Sequence, residues 1–267
     1  MSRWASYLRA PFLLFFALFF TGFMSAFGIL VFIGAKDRRR HLNWIRAWAS
    51  GLVRACGLEI HLLGLKNIPT GGGIYVFNHT SLFDIPVMHS ALPVDFRFGA
   101  KAELFKIPVF GAAMRKAGAL EIARRERHKT IHVYRRSVDR IHRGESFVLA
   151  PEGTRQKSER LGEFKSGPFV LAIEAQAPII PVVLCGLSQV LPRKSLLINA
   201  GFWRRPVWVE VLPPIATSGM TFDDRERLKS LVREQMHHAL QRLQSSKSRL
   251  HPELQEEAAH PSPHRLG

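Results

Sequence analysis

The sequence predicts an α/β fold, in which helices flank a mixed sheet and an N-terminal membrane helix or hairpin precedes the domain. Three observations lead to this prediction. Apolar, β-rich runs alternate with stretches of helical length. One uncharged apolar segment near the start is long enough to cross a bilayer core. The length of 267 residues and the apolar content of 46% suit one large domain with attachments better than two equal domains.

The apolar segment runs from Phe12 to Ile33 without a charged residue. About 22 residues at 1.5 Å each give a helix of roughly 33 Å, close to the thickness of a bilayer core. A cleaved signal peptide has a shorter apolar region and a small-residue cleavage site, whereas basic residues at 36–40 follow this one. We therefore expect a retained membrane segment over residues 1–40. Because positive charge is denser after the segment, the rest of the chain is expected on the cytoplasmic side of the membrane.

Two features of the N-terminal region leave alternatives open. Gly22 and Gly28 also allow a helical hairpin that enters and leaves the same leaflet. Trp44, Trp48 and Leu52 recur at helical spacing within residues 41–57. That stretch is predicted as an amphipathic interfacial helix, since tryptophan and arginine both suit the headgroup level. A surface helix packed on the core by its aromatic stripe has the same pattern.

The body of the chain, residues 58–243, is predicted to form the catalytic domain, and residues 244–267 a disordered polar tail. Strands are predicted at 58–65, 74–77, 96–100, 120–123, 147–150, 179–184, 196–199 and 207–212, and helices at 128–142, at 168–175 and after Thr221.

The charge of the chain indicates an anionic partner. The formal net charge is +17 and the pI is near 10.8, which fits nucleic acid or an anionic membrane surface. The apolar N-terminus favours the membrane, and the basic residues form no nucleic-acid reading motif. Cys56 and Cys185 are expected to be buried and reduced, and no histidine stands at the spacing that zinc needs, so neither metal nor cofactor is expected.

The main candidate site follows the strand at 74–77. His79 lies in the loop at the carboxyl end of this strand, where α/β sheets usually bind ligands. Because Pro86 is tolerated only in the first turn of a helix, a helix is predicted to start between residues 81 and 84. Asp84 then lies close enough to fold back to the imidazole of His79, which would act as a general base on a hydroxyl. The same residues also fit a helix capping box beside a structural histidine.

Further motifs that could take part in substrate binding follow along the chain. Small residues and backbone amides beside Arg155 would let a phosphate approach, and arginine can bind it with two hydrogen bonds. The motifs are NHTSLFD at 78–84, Lys101 with Pro108 and Gly118, Arg124, PEGTR at 151–155, and the proline pair Pro178 and Pro181. Taken together between residues 58 and 212, they resemble the glycerolipid acyltransferase family, and most closely its 1-acylglycerol-3-phosphate acyltransferases.

The resemblance implies a function and roles for these residues. It implies transfer of a fatty acyl group from acyl-CoA or acyl carrier protein to the sn-2 hydroxyl of lysophosphatidic acid. His79 and Asp84 would be catalytic, and the proline pair would lie near the acyl chain. The substrate-binding residues would be Lys101, Arg124, Glu152, Gly153, Thr154 and Arg155, with Arg155 on the glycerol phosphate and Glu152 supporting the site. No serine or cysteine stands in a nucleophile-elbow context, so no acyl-enzyme is expected, and amides at the helix start are possible oxyanion donors.

Two departures keep other acceptors open. Ala150 stands where the family has an aromatic residue, and Ala123 stands where it has an acid. The same chemistry on lyso-ornithine lipid or another lysophospholipid is therefore an alternative. A non-catalytic membrane lipid-binding protein is a second alternative, of another class.

Overall fold

A computed structural model describes residues 3–34, 38–123, 127–192, 195, 198–199 and 204–250. The first helix, α1 (Arg3–Gly34), is continuous, so the apolar segment does not fold as a hairpin within residues 12–33. Within the described ranges, its stretch Arg9–Ile33 is the one helix long and apolar enough to cross a membrane. Only 17% of its most apolar window is buried, which distinguishes α1 from the core helix of a soluble protein.

The second helix, α2 (Arg38–Ala55), folds back along α1. Trp44 donates a hydrogen bond to the Met24 carbonyl, and Trp48 donates one to the Thr21 hydroxyl, so the two helices are antiparallel. Close approach requires glycine, because a Cβ at Gly28 would lie 2.8 Å from the Trp44 indole nitrogen. The tryptophan stripe therefore packs against α1 and the core, as expected for a surface helix packed by its aromatic side chains. An interfacial location for residues 41–57 stays a prediction.

The predicted mixed sheet is confirmed. It has seven strands in the order β1-β7-β6-β2-β5-β3-β4. The strands are β1 (Leu58–Leu63), β2 (Ile74–Phe77), β3 (Phe96–Lys101), β4 (Leu120–Ile122), β5 (Ser146–Leu149), β6 (Ile179–Cys185) and β7 (Arg205–Val211). Strands β2 to β6 run in one direction, while β7 is antiparallel to β6 and parallel to β1. The carboxyl ends of β2, β3 and β5 therefore meet at one edge of the sheet.

The remaining helices cover the two faces of the sheet. They are α3 (Asp84–Ala91), α4 (Phe110–Lys116), α5 (Arg127–His142), α6 (Gly167–Glu174) and α7 (Arg225–Leu250). One apolar cluster contains side chains of α1, α2 and α3 with Phe77 and Phe98, and the other contains those of α5, α6 and α7 with Phe147. Alternate strand residues point to opposite faces, which explains why the buried strands are almost wholly apolar.

Two sequence predictions need correction. The strand predicted at 196–199 is not found: Ile198 and Asn199 lie outside any strand, and residues 196–197 lie outside the described residues. Residues 244–250, predicted as the start of a disordered tail, are helical instead, because α7 continues to Leu250. Composition made residues 244–250 look like a tail because they are polar, but tertiary contacts hold them in the helix; residues 251–267 are outside the described ranges.

Candidate active site

The loop after β2 is fixed by its neighbours on both sides. The Asn78 side chain accepts a hydrogen bond from the Leu184 amide and donates one to the Leu184 carbonyl, each 2.8 Å long. The carbonyl of His79 accepts a hydrogen bond from the Gln156 amide at 2.7 Å. The loop is therefore tied to the carboxyl end of β6 and to the loop after β5, which leaves His79 little freedom.

The imidazole of His79 is oriented by Asp84. Their Nδ1 and Oδ2 atoms are 2.7 Å apart, and the same carboxylate oxygen accepts hydrogen bonds from the amides of Thr80 and Ser81 at 2.8 and 3.0 Å. Asp84 is fully buried and His79 is 9% exposed. Since Nδ1 faces a carboxylate, the tautomer that this contact favours carries the proton on Nδ1 and leaves Nε2 as the basic nitrogen.

The Asp84 carboxylate organises the loop as well as the imidazole. Asp84 is the first residue of α3, Pro86 lies in its first turn, as the sequence predicts, and the cap residue Phe83 has no side-chain capping hydrogen bond. Asp84 accepts the Ser81 amide within the loop, and the Ser81 hydroxyl accepts a 3.3 Å hydrogen bond from the Phe83 amide, so residues 81–84 do not form the alternative capping box. The amides of Thr80, Ser81 and Phe83 are thus engaged within the loop and do not face a substrate as oxyanion donors.

Glu152 is bonded to the backbone of His79 and is 4% exposed. Its two carboxylate oxygens accept the amides of His79 at 3.0 Å and of Gly162 at 2.9 Å. Burial raises the pKa of this carboxyl, and the two amide hydrogen bonds oppose that rise. Glu152 therefore ties together the two loops that carry His79 and Gly162.

The other predicted substrate-binding residues lie at the same edge of the sheet, with different exposures. Gly153, which has φ +68°, Thr154, which is exposed, and Arg155, which is half-buried, follow β5 beside β2. Lys101 ends β3 on the far side of β5, with its amine 3.1 Å from the Glu103 carboxylate. Arg124 lies outside the described residues.

The proline pair lies away from this edge. Pro178 precedes β6, and its carbonyl accepts a hydrogen bond from the amide of Ile74, the first residue of β2. Pro181 is buried within β6, opposite Val76. Pro178 is therefore at the amino end of the strand that carries His79 at its carboxyl end.

An apolar cavity of about 160 Å³ lies on the same face of the sheet as Phe77. It is bounded by α1, α2, α3, β3 and α4, and its lining includes Met24, Trp48, Ile85, Phe98, Phe110 and Met114. Ile85 follows Asp84 directly, and the Phe98 ring is 5.8 Å from Phe77, whose ring is 5.5 Å from that of His79. Ile85 and Phe98 thus connect the wall of the apolar cavity to the surroundings of His79.

His89 in this cavity was missed from the sequence. Its ring stacks on Phe96 with 4.6 Å between centroids. Burial, together with the charges of Arg97 and Arg46, lowers the pKa of His89 to about 3. A histidine four residues after Ile85 on a helix is the only sequence signal for this position. It is neutral at physiological pH and acts as an aromatic wall of the cavity.

Comparison with known proteins identifies the family. Residues 59–185 match the acyltransferase family model. A chloroplastic 1-acyl-sn-glycerol-3-phosphate acyltransferase of Brassica napus is 35% identical over 60% of this chain and 47% of its own length. The chain thus spans about half the length of this plant relative.

Two further relatives cover more of the chain. The mouse 1-acyl-sn-glycerol-3-phosphate acyltransferase alpha is 30% identical over 82% of this chain and 77% of its own length. The crystal structure of PlsC, the 1-acyl-sn-glycerophosphate (LPA) acyltransferase from Thermotoga maritima, has the same fold, with a TM-score of 0.77, 23% identity, and coverage of 91% of this chain and 98% of its own. The chain belongs to the acyltransferase family.

Proposed function

We propose that this protein transfers a fatty acyl group from acyl-CoA or acyl carrier protein to the sn-2 hydroxyl of 1-acyl-sn-glycerol-3-phosphate, giving phosphatidic acid. The observation that carries the proposal is the 2.7 Å contact between His79 Nδ1 and the buried Asp84 carboxylate, beside an apolar cavity. The relatives that cover most of this chain support the choice of acceptor.

The reaction uses His79 as a general base. Asp84 holds the Nδ1 proton, so that Nε2 removes the proton of the acceptor hydroxyl. The hydroxyl oxygen attacks the thioester carbonyl and forms a tetrahedral oxyanion. The oxyanion collapses, the C–S bond breaks, and the departing thiolate takes the proton from Nε2. In this proposal Arg155, with Gly153 and Thr154, binds the acceptor phosphate. Lys101 and Arg124 contribute further positive charge to substrate binding.

The protein is proposed to act on a membrane. Helix α1 anchors it, its catalytic domain lies on the cytoplasmic side, and the surrounding charge favours an anionic bilayer surface. The fatty acyl chain of the donor occupies the apolar cavity, while the acceptor approaches from the lipid phase.

The test is thiol release from palmitoyl-CoA by the protein purified in detergent. Release that requires lysophosphatidic acid and falls at least 10²-fold in His79→Ala is expected, since a positioned general base contributes typically 10²–10⁴-fold. His132→Ala, at an exposed histidine on α5, serves as the control. A His79→Ala variant with more than about a tenth of the wild-type rate would remove the general-base role.

The acceptor needs a separate comparison. Ala150 and Ala123 differ from the family pattern, so lyso-ornithine lipid and other lysophospholipids are assayed in parallel, with acyl carrier protein as a second donor. Faster turnover of another lyso-lipid would assign the same chemistry to that acceptor. Absence of turnover across all donors and acceptors would leave the non-catalytic lipid-binding function.

A further inference from the structure

An exposed apolar turn joins the short 3-10 helix Ala102–Lys106 to α4. The turn consists of residues 107–109, in which Ile107 and Val109 are 46% and 45% exposed. It is held firmly: the Ile107 and Val109 carbonyls accept amide hydrogen bonds from Gly111 and Ala113, each 2.8 Å long. Val109 has φ +63°, which is costly for a β-branched side chain. The fold thus displays two apolar side chains on a rigid and strained turn.

The turn lies beside the membrane helix. Helix α4, which follows it directly, packs against α1, and Phe110 and Met114 line the apolar cavity together with Met24 of α1. On the same half of α1, the outward side chains include Phe27, which is 48% exposed, and Leu30, which is 64% exposed. The apolar turn is therefore joined to a helix that packs on α1, and α1 presents exposed apolar side chains on the same half.

Positive charge surrounds the turn. Lys106 precedes it, and Arg115 and Lys116 end the helix that follows; all three are exposed. Two acids lie nearby, and each faces a basic side chain: Glu103 is 3.1 Å from Lys101, and Glu121 is 4.0 Å from Arg115. Apolar side chains ringed by lysine and arginine are the pattern that binds the boundary between anionic headgroups and acyl chains.

We propose that residues 107–109 are a second membrane contact, which inserts beside α1 into the surface of an anionic bilayer. This inference rests on the proposed function for its lipid substrates. Leu104 and Phe110, on either side of the turn, line the cavity. Insertion of the turn places this rim of the cavity against the bilayer, so that an acyl chain passes between lipid and cavity without crossing water.

Site-specific labelling tests the contact directly. Ile107→Cys is labelled with an environment-sensitive fluorophore in the full-length protein and reconstituted into nanodiscs that contain phosphatidylglycerol. Ile131→Cys is the matched control, because Ile131 is 39% exposed on α5, on the other face of the sheet. The native Cys56 and Cys185 are buried and shielded from the reagent.

The label at position 107 is expected to shift to the blue and to be quenched by lipids brominated on their acyl chains, while the label at 131 keeps a water-like spectrum. Equal spectra at the two positions would overturn the proposal. A blue shift of the label at position 107 that appears in detergent and grows with protein concentration would assign the turn to a contact with a second copy of the chain. That result would also overturn the proposal. Neither readout depends on catalysis, so the result stands apart from the proposed acyl transfer.

A second measurement uses activity. Ile107→Ser is expected to lower turnover of lysophosphatidic acid in anionic vesicles about tenfold, the factor that burial of one large apolar side chain supplies. It should leave turnover in detergent micelles within about twofold of wild type, and Ile131→Ser should change neither rate. An Ile107→Ser variant with wild-type turnover on vesicles would count against a membrane role for the turn.

Discussion

At the scale of single residues, the geometry around His79 depends on carboxylates that accept backbone amides. Asp84 accepts two amides besides the imidazole, and Glu152 accepts the amide of His79 itself. Hydrogen bonds to charged acceptors in a buried setting are stronger than those between neutral groups. The histidine is therefore held both through its ring and through its backbone, so that Nε2 has a fixed direction before any substrate binds.

Arg155 is expected to act on acceptor binding. Arg155→Ala should raise the KM for lysophosphatidic acid at least tenfold and change kcat less, because loss of a charge-assisted contact to phosphate removes about 1.5–3 kcal/mol of binding. Arg160→Ala, an exposed arginine in the same loop, is the control. Steady-state kinetics with the acceptor varied decide the point, and an unchanged KM in Arg155→Ala would exclude Arg155 from the phosphate site.

At the scale of elements, the end of α7 holds the loop that follows β5. The Glu159 carboxylate in this loop accepts hydrogen bonds from the Gly186 amide and from the Ser188 hydroxyl, and it lies 3.8 Å from the Lys247 amine. The Glu159 carbonyl accepts a 2.6 Å hydrogen bond from Gln244. Lys247 and Glu159 are mostly buried, with 13% and 11% of their side chains exposed, so the last turns of α7 order the loop that carries Arg155.

Lys247→Ala is therefore expected to act at a distance. Because the loop that carries Arg155 is then less well ordered, acceptor binding is expected to weaken by about 1 kcal/mol, the usual size of coupling between a remote residue and a site, which corresponds to about a fivefold rise in the KM for the acceptor. Arg249→Ala, at an exposed position two residues further on, should behave as wild type. A Lys247→Met variant with the KM of Lys247→Ala would link the effect to the charge; wild-type kinetics in Lys247→Ala would show that α7 does not position the loop.

At the scale of the whole molecule, α1 packs into the α/β domain, in addition to its proposed role as a membrane anchor. Ala10 and Leu13 are buried in the core cluster on one face of the sheet, and Met24 lines the cavity. The N-terminal segment therefore supplies one wall of the site in which the acyl chain is proposed to lie. An apolar helix that served only as a tether would make no such contacts.

Removal of residues 1–34 should consequently abolish activity on micellar substrates, where no membrane anchor is needed. The expected loss is at least 10²-fold, since the acyl cavity is then open to water. A melting curve measured by circular dichroism shows whether the shortened domain still folds. Retention of wild-type activity in micelles would limit α1 to anchoring.

The sequence predicted the elements of this fold better than their arrangement. Apolar runs identified every strand from β1 to β7, because buried parallel strands are apolar throughout. The pairing of β1 with β7 could not be predicted, since periodicity carries no information about which strands are neighbours. The same reasoning predicted a further strand at 196–199, where the two described residues, Ile198 and Asn199, belong to no strand.

In the candidate site, too, the sequence predicted the local contacts and not those between distant segments. His79 and Asp84 are five residues apart across a strand-to-helix junction, so their contact is local and the sequence predicted it. Glu159 and Lys247 meet only through the fold, as do His89 and the cavity wall, and no spacing along the chain indicates either pair. Contacts between distant parts of the chain need the tertiary structure.

The pairing of β1 with β7 has a consequence for synthesis on the ribosome. The strand that follows the membrane segment pairs with the last strand of the sheet, Leu58 opposite Arg205, and with no other strand among the described residues. Contacts so far apart in sequence close late and slowly during folding. The apolar helix thus leaves the ribosome long before the sheet can be completed, and we expect the nascent chain to reach the membrane before the α/β domain folds.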